Sequence, residues 1–328
     1  MVFFKLLVLL NSFQEFFLVE NVNPSVLQNS YTTYTIGESY CFIIHSLFSN
    51  MIEQTNGGAI MISTNNFFQM VVEKSLFHAC SSTSNGGAIF FSCSNGQCAQ
   101  NKVCGSSCKA GSTSTVYGQF SYIVTKKNYN SFSFFTSIYK CTESFSTSRT
   151  PTYFRGGNFL IKNMNTSYNK VLYTSSITLH DDNVSFVRYS NVMKCYSTAT
   201  TLEFVNTKNG NAEFINFVGN NKQGGAVIHT NNANAYFLKC IFLSNTGALF
   251  EVYSGSLQLK ECVMDNFIYQ SNVPLTINVI VGLTQTYSIE HFSTVYCEAV
   301  ISVIEPSIIS PSIHEHYIHF FVLLGTIN

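Results

Sequence analysis

Apolar residues along this chain fall in short runs closed off by glycine, asparagine and serine. No stretch keeps the roughly 3.6-residue spacing of an amphipathic helix. "TNGGAIMIS" at 55–63, "SNGGAIFFS" at 84–92 and "KQGGAVIHT" at 222–230 share one design, two glycines and an apolar run. Alternation within such runs predicts strands that bury one face, and the glycines between them predict corners.

The runs recur. Residues 46–63 align without a gap on 75–92, an offset of 29 that sets Leu47-Phe48 on Leu76-Phe77 and Ile60 on Ile89. "LKCIFLSN" (238–245) aligns with "LKECVMDN" (259–266) at an offset of 21, and Phe217 and Asn220 precede Phe242 and Asn245 by 25. A repeat of about 20 to 50 residues is one turn of a solenoid. Glycine, asparagine and β-branched residues where helix formers would be needed exclude a helical one.

The expected fold is therefore all-β, a right-handed single-stranded parallel β-helix of the pectin-lyase type. It would span residues 30–300 in roughly ten turns of about 24 residues each. Residues 1–22 would be a weak signal peptide or N-terminal cap, and 301–328 a C-terminal tail or cap. Equivalent residues stack at the interstrand spacing of about 4.8 Å. The expected core holds Phe48, Ile60, Ile62, Phe77, Ile89, Phe91, Phe217, Val227, Phe242 and Leu249. Gly57, Gly58, Gly86, Gly87, Gly224 and Gly225 are expected at corners, where positive φ and close approach of turns favour glycine. Asn50, Asn220, Asn245 and Asn266 would stack as an amide ladder.

Two motifs thus travel together. Gly-Gly-Ala-[Ile/Val] occurs at 57–60, 86–89 and 224–227, with a degenerate copy at 246–249; Phe-x-x-Asn occurs at 217–220 and 242–245, with aliphatic variants at 47–50 and 263–266. The pairing resembles the polymorphic outer-membrane protein repeat of chlamydiae and the β-helix surface proteins expanded in parasitic protists. The resemblance covers about 40–270 and is poor from 110 to 200. It implies a surface-displayed, adhesive or antigenic role and supplies no catalytic residues. The translocating barrel of the bacterial family has no counterpart here.

Composition narrows the partners. Seventeen basic and seventeen acidic residues balance to zero, and only 10% of the chain is charged. No basic stripe exists to neutralise nucleic-acid phosphates. No apolar run approaches the ~18 residues of a membrane span. Eleven cysteines and the sequons at Asn165 and Asn183 point to an extracellular or cell-surface protein. Cys93, Cys98, Cys104 and Cys108, spaced C-x4-C-x5-C-x3-C, lack the tight knuckles of a zinc site and read as a disulfide-stapled insertion at 93–108.

Candidate chemistry is thin. Asp181 and Asp182, beside His180, are the best pair for acid–base cleavage of a glycosidic bond, which needs two carboxylates of different pKa. The Gly-His-Gly and Arg-x-Lys of polygalacturonase-like enzymes are missing, and an Asp-Asp-Asn turn is common in any loop. Arg155, with Arg149, could serve as a lyase base, but the acidic calcium cluster such enzymes need is not evident. "GSSCKAGST" (105–113) lacks the Gly-Lys-[Ser/Thr] core of a phosphate loop. His314, Glu315, His316 and His319 read as an ordinary exposed cluster, and no cofactor or metal is expected. The sequence favours a non-enzymatic contact protein whose partner is a host-cell protein or glycan. The alternative is a carbohydrate-active lyase or hydrolase on the same scaffold.

Overall fold

The computed structural model describes residues 16–17, 25–28, 39–126, 128–142, 148–265, 269–271 and 275–280. They form an all-β, parallel β-solenoid of about eight turns. Each turn contributes to three strand stacks. The first runs through Ile60, Ile89, Ser121, Thr152, Ile177, Leu202, Ile228 and Phe250. The second passes from Cys41 through Met70 and Cys98 and continues beyond Leu257. The third starts at Leu47–Ser49 and climbs through Leu76–His78 and Cys104–Ser106 to Ile241–Leu243. A short fourth face pairs Ile52–Glu53 with Ser81–Ser82, and further on Lys170–Val171, Tyr196–Ser197 and Asn221–Lys222.

The register refines the sequence alignment. The offset of 29 holds, because Phe48 pairs with Phe77 and Ile60 with Ile89. Phe217 likewise faces Phe242. The offset of 21 does not hold. Leu238 pairs with Lys260 and Ile241 with Val263, so this turn is 22 residues long and Cys240, not Leu238, sets the match. The third glycine pair is also displaced by one. Ile228, not Val227, lies in the column of Ile60, so Gly225 corresponds to Gly57. Turns of up to 33 residues (Ala99 to Phe132) reduce ten expected turns to about eight.

All ten residues named for the core are buried. Phe48 and Phe77 stack with centroids 4.9 Å apart and planes 9° from parallel, and Phe217 and Phe242 repeat this at 4.9 Å and 5°. Gly105 breaks the phenylalanine column. Phe120 fills the space above it from the adjoining corner, and a Cβ on Gly105 would lie 2.2 Å from that ring. Between 110 and 200, where the motifs fade, the stack continues without interruption on a polar interior. Ser131, Ser133, Thr136, Thr166 and Ser176 are buried there. Hydroxyls bond each other, Ser133 with Thr136 at 3.0 Å and Thr166 with Ser176 at 2.7 Å, which satisfies groups that would otherwise be costly to bury.

Most corners are not made by glycine. Among the described residues, twenty-one non-glycine positions hold positive φ, including His45, Lys74 and Lys102 before the third stack. A left-handed residue costs roughly 1–2 kcal/mol. Here it turns its N–H to the next turn, as His45 does toward Glu73 at 3.2 Å and Asn50 toward His78 at 2.9 Å. Glycine recurs at the corner into the first stack. Gly57 and Gly86 sit at φ +68° and +69°, and Gly118, Gly225 and Gly247 repeat the conformation. Gly58 and Gly87 answer to a different constraint, since a Cβ on either would lie 2.1 Å from the carbonyl oxygen of the next turn. Gly224 has 3.1 Å of clearance to Thr198 and ordinary φ, so it carries neither requirement.

The amide ladder exists but is mixed. Asn220 and Asn245 are buried one above the other, and the Nδ2 of Asn245 donates to the Phe217 carbonyl at 2.8 Å. Register places Cys80, Cys108, Cys141, Asn169 and Cys195 in the same column. Asn50 is not in it. Asn50 occupies the left-handed position one residue earlier, exposed, and Met51 takes the inner place. Asn266 lies outside the described residues.

Candidate functional site

Asp181 and Asp182 follow the first stack, after Thr174–His180, and their side chains diverge because Asp181 is left-handed at φ +55°. Asp181 faces outward. Its Oδ2 lies 2.9 Å from Arg155 Nε, Arg155 Nη2 and His180 Nδ1, while Asn206 Nδ2 donates to Oδ1 at 2.9 Å. Partial burial pushes its pKa up, but the Asn206 bond and the charges of His180 and Arg155 outweigh this and hold it low. Asp182 turns inward and is 1% exposed. It accepts from Ser185 Oγ at 2.8 Å and from the Gly156 N–H at 3.1 Å. Burial raises its pKa well above the usual carboxylate range despite those two donors. One carboxylate is thus an outer ion-pair partner and the other an internal cap for a corner, with no common space between them.

Around this cluster the outer side of the first stack carries a row invisible to motif reading. Phe90, Tyr122 and Tyr153 occupy equivalent positions, stacked at 5.1 Å and 2°, then 5.1 Å and 13°. The row continues through Thr178 to Glu203 and His229. Burial pushes the Glu203 carboxyl up, but the bond and charge of His229 at 3.3 Å, with donors Thr174 and Thr178, bring it below its ordinary value. Arg149 lies against Tyr117 and Tyr173, 4.9 Å from each ring centre. A second ladder runs down the corner beside it, from Asp181 to Asn206 to Asn232, with amide bonds of 2.9 and 3.0 Å.

No family model, curated protein or solved structure matches the chain.

The cysteine-rich stretch is not an insertion, and Cys104 is disulfide-bonded, though not to Cys93, Cys98 or Cys108. Cys93 and Cys98 belong to the strand Ile89–Asn101, in register with Ile60–Glu73. Cys93, Cys98 and Cys108 carry free, buried thiols, so the four cysteines do not bridge one another. Cys93, Cys98 and Cys108 point inward from different parts of the turn, whereas Cys104 shares the outward position of Leu47 and Leu76. Nine described cysteines are free and buried. Cys80, Cys108, Cys141 and Cys195 act as small hydrogen-bonding core residues, each donating from Sγ to a carbonyl of the preceding turn.

Asn165 is half-buried in the strand Asn165–Ser167, below Asn191, with its Oδ1 enclosed. Asn183 is half-buried at a corner, and the Ser185 hydroxyl of its sequon is taken by Asp182. His314, Glu315, His316 and His319 lie outside the described residues, as does the 1–22 segment apart from Phe16 and Phe17. Those two rings pack on Phe132 and Phe134 at 5.6 to 6.2 Å. No helix among the described residues is long and apolar enough to cross a membrane. Among them, no group of three or more His, Cys, Asp or Glu is placed to hold a metal ion.

A concavity lies elsewhere, on the fourth face. A cavity of about 590 Å³ is lined by Glu53, Ser82, Lys109 and Lys140 from successive turns. Part of its wall is Ser107 to Ser112, the stretch whose sequence superficially suggested a phosphate loop.

Proposed function

We propose that the chain is a non-enzymatic contact protein, secreted or displayed at a cell surface, which engages a host or matrix partner. The observation that carries this is the fate of the two aspartates. Asp182 is consumed by Ser185 and Gly156, and Asp181 by Arg155, His180 and Asn206. Glycosidic cleavage needs two carboxyl groups flanking one bond, about 5 to 9.5 Å apart with the substrate between them. The repeat motifs support kinship with the polymorphic outer-membrane-protein-like surface proteins, whose expected architecture matches at the level of a parallel β-solenoid. A solenoid offers long flat faces, suited to adhesive or antigenic contact.

The test pairs binding with turnover. Purified chain is applied to host-cell and glycan surfaces and incubated with polyuronides, beside an Asp181→Ala/Asp182→Ala double variant. Saturable retention without reducing-end release is the expected result. Release by the wild-type chain that disappears in the double variant would overturn the reading and establish a carbohydrate-active enzyme.

A further inference from the structure

Five of the nine free thiols among the described residues have a cysteine at the equivalent place in an adjoining turn. His78 pairs with Ser106 and Ser106 with Tyr139, which sets Cys80, Cys108 and Cys141 over one another two residues further on. The backbone keeps this register through the corner. The Lys109 N–H donates to the Cys80 carbonyl at 3.0 Å, and the Thr142 N–H to that of Cys108 at 3.2 Å. Ile241 pairs with Val263, so Cys240 and Cys262 stack in the same way, with the Val263 N–H on the Cys240 carbonyl at 2.9 Å. The other four stand alone. Met70 separates Cys41 from Cys98, Cys93 lies between Thr64 and Thr125, and Cys195 lies between Asn169 and Asn220.

The stacked side chains lean the same way. Cys80, Cys108 and Cys141 each donate from Sγ to the preceding turn, and Cys240 and Cys262 do so to Ala212 and Phe237 at 3.5 and 3.6 Å. The later thiol of each pair therefore reaches back toward the earlier one. Their proximity shows in their acidity. The Cys108 thiol, then burial, pushes the Cys80 thiol up, and burial, then the Cys141 thiol, does so for Cys108. Equivalent residues in adjoining strands lie about 4.8 Å apart, inside the ~4.4–6.8 Å Cα separation of a disulfide. All five cysteines are 0% exposed. Thiol–disulfide exchange needs access for the oxidant, so the closed coil resists it, and pairing belongs to the moment when one turn docks on the last.

We propose that these stacks are latent inter-turn staples: in an oxidising medium Cys240 joins Cys262, and Cys108 joins one of its two neighbours, Cys80 or Cys141, while the chain folds. The oxidant is a low-molecular-weight disulfide such as glutathione disulfide. For each staple one cysteine sulfur attacks that disulfide and releases one glutathione thiol; the second cysteine then displaces the other glutathione from the mixed disulfide. Two protons and two electrons pass from the two cysteines to the two glutathione thiols. Three thiols in one column permit a single bond, so the first stack keeps one reduced sulfur beside it. The coil thus records the redox state of the medium in which it folded.

The experiment begins with full chain reduced in guanidinium and refolded by dilution, with glutathione disulfide or with reduced glutathione alone. Both products are alkylated in guanidinium, digested and mapped by mass spectrometry, and circular dichroism checks that each has folded. The oxidised product should carry Cys240–Cys262 and Cys108 linked to Cys80 or Cys141. It loses four of the nine thiols, while Cys41, Cys93, Cys98 and Cys195 are alkylated. Cys104, bonded in the folded chain, is scored separately. The urea midpoint of the oxidised product should lie above that of the reduced one and fall back with dithiothreitol. Cys108→Ser is the sharper variant. It should free Cys80 and Cys141 together, since two turns, about 9.6 Å, then separate them, and leave Cys240–Cys262 intact. Absence of Cys240–Cys262, links to the four solitary cysteines as abundant as the stacked ones, or a Cys80–Cys141 bond in the variant would overturn the proposal. Oxidation of already folded chain as fast as during refolding would overturn its timing. Where dilution yields no folded chain, the same map of chain made in an oxidising and in a reducing compartment of one expression host decides by the same outcomes.

Discussion

Substitution at Asn220 measures what the mixed amide and thiol column contributes. Asn220 Oδ1 accepts the Cys195 N–H at 3.0 Å, and its Nδ2 donates to the Val192 carbonyl at 2.9 Å. Asn220→Ala leaves a buried N–H and a buried carbonyl unpaired, at about 1–3 kcal/mol each, so roughly 2–6 kcal/mol in all. Asn220→Cys should cost about half of that. A thiol can donate to Val192, as Cys195 Sγ does to Thr166 at 3.6 Å, but offers the Cys195 N–H no oxygen. The reverse change, Cys195→Asn, should be neutral or stabilising by up to about 1 kcal/mol, because it gives the preceding turn an acceptor. The chain has no tryptophan, so urea unfolding is followed by far-ultraviolet circular dichroism, with the slope monitored for loss of single-transition behaviour. An alanine variant within about 0.5 kcal/mol of wild type, or alanine and cysteine variants of equal cost, would refute the assignment of two separable bonds to this side chain.

The other predictions address packing, charge and thiols. Gly58→Ala should destabilise by about 1–3 kcal/mol or more, since its Cβ would lie 2.1 Å from the Gly87 oxygen, whereas Gly224→Ala should stay within about 1 kcal/mol of wild type; equal melting shifts would remove the distinction. Lys222 is buried, and its Nζ donates to the carbonyls of Gly225 and Ala248. Burial lowers its pKa to about 8 against the opposing charge of Glu251. Above pH 8 the unfolded chain binds a proton that the folded chain has lost, so this residue's contribution to stability rises with pH until about 10.5. Buried thiols act in the opposite direction. Burial raises Cys41 to about 12 from 9.0, so stability it supplies at neutral pH is lost as pH climbs through that interval. The lysine is therefore read as the difference between wild type and Lys222→Met, which should change across pH 8–10.5; a constant difference would contradict it. Finally, an aromatic disulfide reagent should leave at least nine thiols unreacted in the native chain and titrate them all in guanidinium; fast native labelling of more than two would show that the thiols are accessible.

The sequence revealed the coil wherever identical shapes stack. Phe48 over Phe77 and Ile60 over Ile89 could be found because side-chain identity and turn length are both preserved. It concealed the middle because hydroxyls replace hydrocarbon there. Ser133 with Thr136 and Thr166 with Ser176 satisfy one another across the interior, and an apolar pattern has nothing to detect. Corners were misassigned for a related reason. The inner corner position accepts asparagine or cysteine, since both donate to a carbonyl of the preceding turn, so asparagine alone points to Asn50, one residue early. A Phe-x-x-[Asn/Cys] motif would have matched 77–80, 217–220 and 242–245 together. The aromatic row of Phe90, Tyr122 and Tyr153 was hidden by uneven turn lengths, with steps of 32 and 31 residues where neighbouring turns take 25 to 29.

The free thiols also change the weight of the argument for an extracellular chain. Eleven cysteines pointed to disulfides, but nine serve as buried core residues, and several occupy a position where asparagine serves equally. Cysteine there reflects size and donor capacity, so its abundance no longer speaks for an oxidising compartment. The sequons lend modest support, since Asn165 has its carbonyl oxygen enclosed and the serine of the other sequon is bonded to Asp182. Surface exposure thus rests chiefly on architecture. This coil spends its carboxylates on corners and ion pairs and stacks aromatic and charged rows along one side of its first strand stack. Those features favour contact over turnover, because the carboxylates that would have to move protons, Asp181 and Asp182, are already engaged.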